Sequence, residues 1–545
     1  MVTGLGYGVV VGPAWMVNIS NYHATNCRHA ITTTNESQGV ISGFGVAYTR
    51  AQNVTASGSV TGRYGKDAST ILSSAFDTHP ASKYFEIDGF YIDNYPIGFN
   101  SRSDEIVIKN GIFKTPPIEY NKAGSAHAFL VVNSTSADRD IRKSVSISST
   151  DIYGVRTIFG PTLGTRFGNV SIDNVRAWSK LEPTNSAYYP NGFLFHLATT
   201  SDSVSIDTFH VSDSEFYADN VARGNKYLIN YEKAEAQDPL RSIKYASFDH
   251  CIFAGFKYFA WFKEWGFDSF SLTNSHLENI TILLSANGNS LVDSTTVMMD
   301  DYLIDGNTFK NVTTLDGMTN TRYDNIKITN NTFDGTGHPL RLSTGNYIGK
   351  DIVFSNNVIK NNTLNQPLLS VSASYGNGTI VYSNNIITKP TVQRSLVIAT
   401  GSGVYRPNII YKNNIYYGLV STSGLTSFDI DSANIDIIGN YIEYTDGGNS
   451  VAAIVDMGGD SDIDIIDNYF SYTEATNDVL LRVESSDIDL TINGNTFLGY
   501  GGTHTVLFSD SAATILSGTN ETNIAAPLDT TGWGGTWNTM TKFGE

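Results

Sequence analysis

Eight asparagines recur through the C-terminal half of the chain at almost constant spacing. They are Asn307, Asn331, Asn357, Asn385, Asn414, Asn440, Asn468 and Asn495, with gaps of 24, 26, 28, 29, 26, 28 and 27 residues. The same phrase surrounds each one: an alternating apolar–polar run, the Asn, then a shorter apolar run. Examples are YLIDGNTFKN from Tyr302, IKITNNTFDG from Ile326, DIVFSNNVIKN from Asp351 and LTINGNTFLG from Leu490. Strict alternation marks strands with one buried face, and the Asn or Gly-Asn marks a bend between two of them.

A period of roughly 20–30 residues means stacked supersecondary units. The leucine consensus of a leucine-rich repeat is absent, and a propeller blade is longer. The pattern fits an all-β solenoid, a right-handed parallel β-helix with coils of about 24–29 residues, each adding about 4.8 Å of height. The Asn is expected inside the bend, in the left-handed or bridging backbone that Asn tolerates. Its amide then bonds the Asn of the coils above and below, an internal Asn ladder. These asparagines are therefore read as structural. Ser214, Cys251 and Ser275 hold the equivalent place upstream, and Asn174 and Asn110 look like earlier copies.

Coils are near-uniform from Asn307 onward and irregular between about Val170 and Tyr302, where 37 residues separate Ser214 from Cys251. Extra residues leave a coil as loops, and loops on a rigid scaffold are where binding and chemistry concentrate. The expected organisation is N-terminal coils over 1–105, the main β-helix over 106–515, and a C-terminal cap or contact segment over 516–545, where Trp533 and Trp537 pack.

Composition supports this and narrows the partners. Tyr (30) and Phe (28) are abundant, as in β proteins. A formal net charge of −18 disfavours nucleic acid and anionic membrane surfaces. No apolar run is long enough for a transmembrane helix, so no membrane insertion is expected. Cys27 and Cys251 are far apart and fit two buried thiols rather than a disulfide framework or metal site. No phosphate loop, Ser-His-Asp signature, zinc spacing or EF-hand loop is present, so neither cofactor nor metal is expected. DSDIDIID at Asp460–Asp467 alternates as a strand with an acidic face. The start, MVTGLGYGVVVGPAWMV, lacks the charged region of a signal peptide and reads as strand. An excised fragment, or a chain missing an upstream domain, is expected.

Two early motifs, CRHAITTT at Cys27–Thr34 and AFDTHP at Ala75–Pro80, together with the Asn-ladder coils, resemble the β-helical tailspikes of bacteriophages. That resemblance implies a receptor-binding depolymerase of capsular or O-antigen polysaccharide. It also implies a homotrimer with parallel helix axes, carried on the virion tail through a missing N-terminal attachment domain. The segment 516–545 would then be a cap or trimer contact. DTHP is also loosely similar to the DPH-type motif of β-helical mannuronan epimerases and lyases, in which the His works on the C5 proton of a uronate. The Pro and the position near the N-terminus depart from that pattern.

Two clusters are candidates for chemistry. The first is Arg28, His29, Asp77 and His79. Elimination from a uronate needs a cation for the carboxylate, which Arg supplies as a bidentate fork, and a base near neutral pKa, which His supplies. Asp77 and His79 are two apart and share a strand face, so Asp77 can orient a histidine; Tyr22 or Tyr64 is a candidate acid. The plainer reading is a brace for the N-terminal coils.

The second cluster is the irregular middle, with Glu215, Asp249, Glu264, Glu278 and His276, and nearby Asp213, Asp219 and His250. If Ser214, Cys251 and Ser275 stack in register, Glu215, Ile252 and His276 form one outward column and Tyr217, Ala254 and Glu278 the next. Glu215 and Glu278 then stand two rungs, about 10 Å, apart, near the upper end of the spacing that leaves room for a water in an inverting glycosidase. For any single carboxylate the plainer reading is a solvated surface group. Tyr217, Tyr231, Trp261, Trp265, Arg241 and Lys263 are the candidates for binding sugar, by stacking and by charge.

The expected function is binding and cleavage of a bacterial surface polysaccharide, by hydrolysis at the carboxylates or elimination at the His/Arg cluster. A non-catalytic adhesin or receptor-binding spike is the rival of a different class. A monomeric secreted uronate lyase or epimerase is the third reading.

Overall fold

The computed structural model describes residues 2–3, 7–25, 27, 29–34, 37–47, 74–95, 97–115, 128–133, 141–161, 165–179, 191–198, 204–218, 227–232, 243–262, 267–286, 301–316, 322–337, 340–342, 347–348, 350–361, 363–364, 369–372, 378–388, 391–392, 397–401, 406–421, 428–446, 453–474, 478–501, 504–509, 514–524, 528–529 and 540–542. Among them there is no helix. The chain divides into two compact units, Met1–Ser271 with Ser275–Asn287, and Leu272–Asn274 with Gly288–Glu545. Each is a right-handed parallel β-helix.

In the first unit one sheet is bent. It runs through Gly39–Ala47, Tyr84–Asp93, Glu105–Lys114, Arg142–Val155 and Arg166–Ser179. It continues as paired short strands, Ser205–Ser212 with Glu215–Tyr217 and Ile243–Asp249 with Ile252–Ala254, and then His276–Glu278. The second sheet stacks His29–Thr33, Ser74–Thr78, Ile97–Ser101, Ala128–Val132, Thr157–Pro161, Asn191–Ala198, Tyr227–Glu232, Tyr258–Phe262 and Ile282–Ala286. The bent sheet alternates buried and accessible residues along Glu105–Lys114, the mark of one face on the core. Three second-sheet strands, His29–Thr33, Ser74–Thr78 and Ile97–Ser101, are buried along their whole length. The bore is aromatic: Phe76 packs edge-on to Phe85, Phe99 to Phe90 and Phe129, and Phe259 to Phe248 and Phe253.

The second unit repeats the scheme with shorter strands. Asp301–Asp305 and Thr308–Lys310 stack on Ile326–Thr329 and Thr332–Asp334, and so on to Ile488–Asn493 and Thr496–Gly501. Inside the bends the Asn ladder is present as expected. Asn331 Oδ1 accepts from the backbone N (2.9 Å) and Nδ2 (3.1 Å) of Asn307, and the pattern repeats coil by coil. It extends one coil beyond the expected set, to Asn520, whose Oδ1 accepts from Asn495 N at 3.0 Å. In the first unit, hydroxyls take the place of amides: Ser214 Oγ accepts from Val175 N and Ser275 Oγ from Cys251 N, both at 3.0 Å. Cys27 and Cys251 are buried free thiols.

One expectation is corrected. The left-handed residue is the one before the ladder position, not the ladder Asn. Asn330, Asn356, Asn384 and Asn413 have φ of 55 to 58°, and Gly306, Gly439 and Gly494 serve where the sequence reads Gly-Asn. Asn110 and Asn174, at φ 57° and 50°, occupy this preceding position too, so they are not ladder copies. The physical reason is a division of labour. The left-handed residue turns the chain outward and its side chain faces solvent, while the next residue returns to ordinary backbone and points into the bend.

Candidate functional site

The left-handed residue gives each of these coils a fixed origin. Four residues beyond it, a side chain on the bent sheet faces outward, and register makes these positions one column. From Asn110, Ser149, Asn174, Asp213, His250 and Asn274 the count reaches Lys114, Tyr153, Trp178, Tyr217, Ala254 and Glu278. Two residues beyond it lies the parallel column Ile112, Asp151, Arg176, Glu215, Ile252 and His276. The register expected for Glu215, Ile252 and His276, and for Tyr217, Ala254 and Glu278, is the one observed.

The first column is an aromatic stripe. Tyr153 and Trp178 stack at 4.8 Å between centroids and 4° between planes, and Trp178 and Tyr217 at 5.7 Å and 18°. All three rings are half-buried, open on the outer side. Lys114 Nζ lies over the rings of Tyr91 (5.4 Å) and Tyr153 (5.9 Å). Beside the stripe, Arg176 grips Asp151 bidentately, Nε to Oδ1 at 2.8 Å and Nη2 to Oδ2 at 3.0 Å.

The stripe stops at a gap. On one lip the Tyr217 hydroxyl donates to Glu215 Oε2 at 2.9 Å. Burial, and then this hydrogen bond, push the Tyr217 phenol up, so it stays a donor at neutral pH. On the other lip His276 Nε2 faces Glu278 Oε2 at 3.4 Å. Between them the outward positions are Ile252 and Ala254. Two polar pairs therefore flank a low apolar floor, two rungs or about 10 Å apart along the axis. Below the floor, Gly255 (φ +81°) is required: a Cβ there would meet the Ala218 carbonyl oxygen at 1.9 Å.

The other expected residues fall elsewhere. Asp249 lies before the bend, in register with Ser212, and its Oδ2 is 2.7 Å from His250 Nδ1. Trp261 is on the second sheet, in register with Asn230 and Ser285 and 5.4 Å from the Tyr227 ring. It therefore does not share a face with Glu215 and Glu278. Tyr231 is on the same sheet, opposite Leu197 and Phe262. Arg28, Asp219, Arg241, Lys263, Glu264, Trp265, Tyr64, Trp533 and Trp537 lie outside the described residues.

The first cluster is a tied knot. His29 is buried, bonds Ser74 Oγ through Nδ1 at 2.9 Å and stacks on Tyr7. Asp77 is three register positions away, since Thr32 is its strand partner. Asp77 is also buried. Its Oδ1 accepts from Asn100 Nδ2 (2.7 Å) and Arg102 Nη1 (3.4 Å), and His79 Nε2 stands 3.5 Å from Oδ2. Burial pushes its carboxyl up, against the pull of Arg102 and His79. Arg102 is anchored by its own bond to the Thr78 carbonyl at 2.6 Å, and Asn133 donates to Asn100. Asp77 stands beside His79 without a hydrogen bond to it, and its Oδ1 is held by Asn100 and Arg102. The arrangement is that of a brace.

Trp178, Tyr153 and Lys114 were not among the expected site residues, because they lie on successive coils and only the strand register brings them together. Counting four residues from each bend finds them.

No family model matches the sequence, and no curated protein matches it. Among solved structures it is similar to that of a PL6 family alginate lyase, AlyGC, at 11% identity over 98% of this chain and 96% of that one, with a TM-score of 0.18. A likeness at that score carries no argument about function.

Proposed function

We propose that this protein is a polysaccharide depolymerase that hydrolyses a bacterial capsular or O-antigen polysaccharide at the gap between Tyr217–Glu215 and His276–Glu278. The observation that supports this most is the continuity of the gap with the Tyr153–Trp178–Tyr217 stripe. Aromatic faces pack against the CH faces of sugars, and two carboxylates flank the place where a bound chain crosses the low floor. One carboxyl gives its proton to the leaving glycosidic oxygen as the bond to the anomeric carbon breaks. The other takes a proton from the water that attacks that carbon from the opposite face. Glu215 and Glu278 stand two rungs, about 10 Å, apart along the axis and in adjacent outward columns, and the reach of two Glu side chains closes that separation toward the roughly 6.5–9.5 Å of an inverting enzyme. Within this reading the resemblance of the early motifs to those of phage tailspikes supports a homotrimeric spike on a virion tail.

The test is digestion of a panel of purified capsular and O-antigen polysaccharides, with mass and ultraviolet analysis of products and the solution mass of the protein. Products heavier by one water support hydrolysis at the gap. Products bearing a new double bond and its absorbance would refute it in favour of elimination. Binding without cleavage across the panel leaves a receptor-binding spike, and a mass of one chain refutes the trimer.

A further inference from the structure

We propose that Lys114 is the specificity determinant for a carboxylate-bearing sugar, held four rungs from the gap, so that the polymer cleaved is an acidic one lying along the helix axis. This rests on the reading of the gap as the cleavage site. The argument begins with charge. A chain of net charge −18 repels a polyanion unless a local cation offsets its field. Along the two outward columns the guanidinium of Arg176 is neutralised by Asp151. Lys114 is in a different state. It makes no ion pair with a described residue, and Asp93, its strand partner on the next rung, does not bridge to it. Its ammonium instead sits over two aromatic faces, with Tyr91 Oη at 3.4 Å.

That setting holds a lysine in place without neutralising it. A ring quadrupole attracts the cation but offers no negative charge to discharge it, and the phenol fixes the direction of the ammonium. Tyr91 is 44% exposed, so the site is open to solvent. Tyr153 then begins the stack that leads through Trp178 and Tyr217 to the floor at Ala254. Four rungs of about 4.8 Å give roughly 19 Å from Lys114 to the gap. That length is spanned by several sugars in an extended chain. The stacked rings read sugar faces without regard to charge, and among the described residues of the two columns Lys114 reads a carboxylate. An acidic sugar at this distance sets which bond of a repeating unit falls over the gap.

The experiment uses immobilised uronate-bearing capsular polysaccharides, each beside its carboxyl-reduced counterpart. Binding and turnover are measured for the full chain and for Lys114→Met and Lys114→Arg, with thermal unfolding as the check on folding. The expected result is about tenfold weaker binding and tenfold higher KM for Lys114→Met on the acidic polymer, the value of roughly one charge-assisted contact. With it, kcat stays within twofold, Lys114→Arg is near wild type, and Lys114→Met makes no difference on the reduced polymer. Equal losses on both polymers, or none on the acidic one, overturn the proposal while leaving cleavage at the gap intact. Lys114-dependent binding of an acidic polymer without cleavage does the reverse: the assignment of Lys114 stands and the cleavage reading falls. No binding to any acidic polymer overturns the proposal and leaves cleavage at the gap to neutral polymers.

Discussion

Asn414 Oδ1 accepts two hydrogen bonds from Asn385, one coil away: from the backbone N at 3.0 Å and from Nδ2 at 2.9 Å. Asn414 Nδ2 in turn donates to the Tyr382 carbonyl at 3.0 Å and to Asn440 Oδ1 at 3.0 Å. Both asparagines are fully buried. Removing one amide therefore strands donors and acceptors on both neighbouring coils at once. Asn414→Leu is expected to cost about 3–5 kcal/mol, read by urea unfolding of the whole chain. The adjacent Asn413 carries the left-handed turn, at φ 55°, and faces outward. Asn413→Ala is expected to cost about 1–2 kcal/mol and Asn413→Gly close to nothing. Equal costs at 413 and 414 would show that the two roles are not divided as the geometry has them.

That division marks the limit of what the sequence disclosed. The period, the strands and the ladder were legible because burial forces alternation and a stacked Asn must recur at the length of the coil. Which of two neighbouring residues takes the left-handed turn was not legible where the sequence reads Asn330-Asn331 or Asn384-Asn385, since Asn is acceptable in either place. It was legible where Gly306 precedes Asn307, because Gly cannot make the side-chain bonds. The columns through Glu215 and Glu278 were readable from Ser214, Cys251 and Ser275. The stripe was missed because stacking joins residues far apart in sequence, Tyr153 with Trp178 and Trp178 with Tyr217, which only the strand register brings together.

Three phenols in the bore of the second unit make a prediction of opposite sign. The hydroxyls of Tyr382, Tyr411 and Tyr416 are buried and have no hydrogen-bond partner among the described residues. Burial holds Tyr382 and Tyr416 above the usual phenol range. The rings stack well, Tyr382 on Tyr411 at 4.9 Å, so the hydroxyl adds a desolvation cost without a compensating bond. Tyr382→Phe should leave the stack intact and raise the melting temperature by about 1 °C. A fall of several degrees would mean that an enclosed water satisfies the phenol.

Acid–base behaviour should be visible at Asp456. Burial first, then repulsion from Glu484, raises its carboxyl to about 6, despite Arg482 nearby. An unfolded Asp titrates near 3.9. Between about pH 4 and 6 the folded chain thus binds the extra proton, so the slope of stability with pH is negative for this group. Its contribution is most favourable below about pH 4 and is lost as pH climbs through 6. Asp456→Asn should raise the melting temperature at pH 8 by on the order of 1 °C and leave it unchanged at pH 4. A gain at pH 4 equal to that at pH 8 would contradict the assignment.

The gap and the brace are separated by a fourth set of substitutions. Glu215→Gln and Glu278→Gln each keep shape and remove a proton acceptor, and each should lower kcat on the cleaved polymer by about a thousandfold or more, with the melting temperature held. Tyr217→Phe removes the 2.9 Å bond that fixes Glu215 while keeping the ring on Trp178, so about a tenfold loss in kcat with little change in KM is expected. Asp77→Asn acts elsewhere. It discharges a buried carboxylate held by Asn100 and Arg102 beside His79, so kcat should stay within twofold. The reverse pattern, with turnover lost at Asp77 and kept at Glu215 and Glu278, would move the chemistry from the bent sheet to the second sheet and make the aromatic stripe a binding surface only.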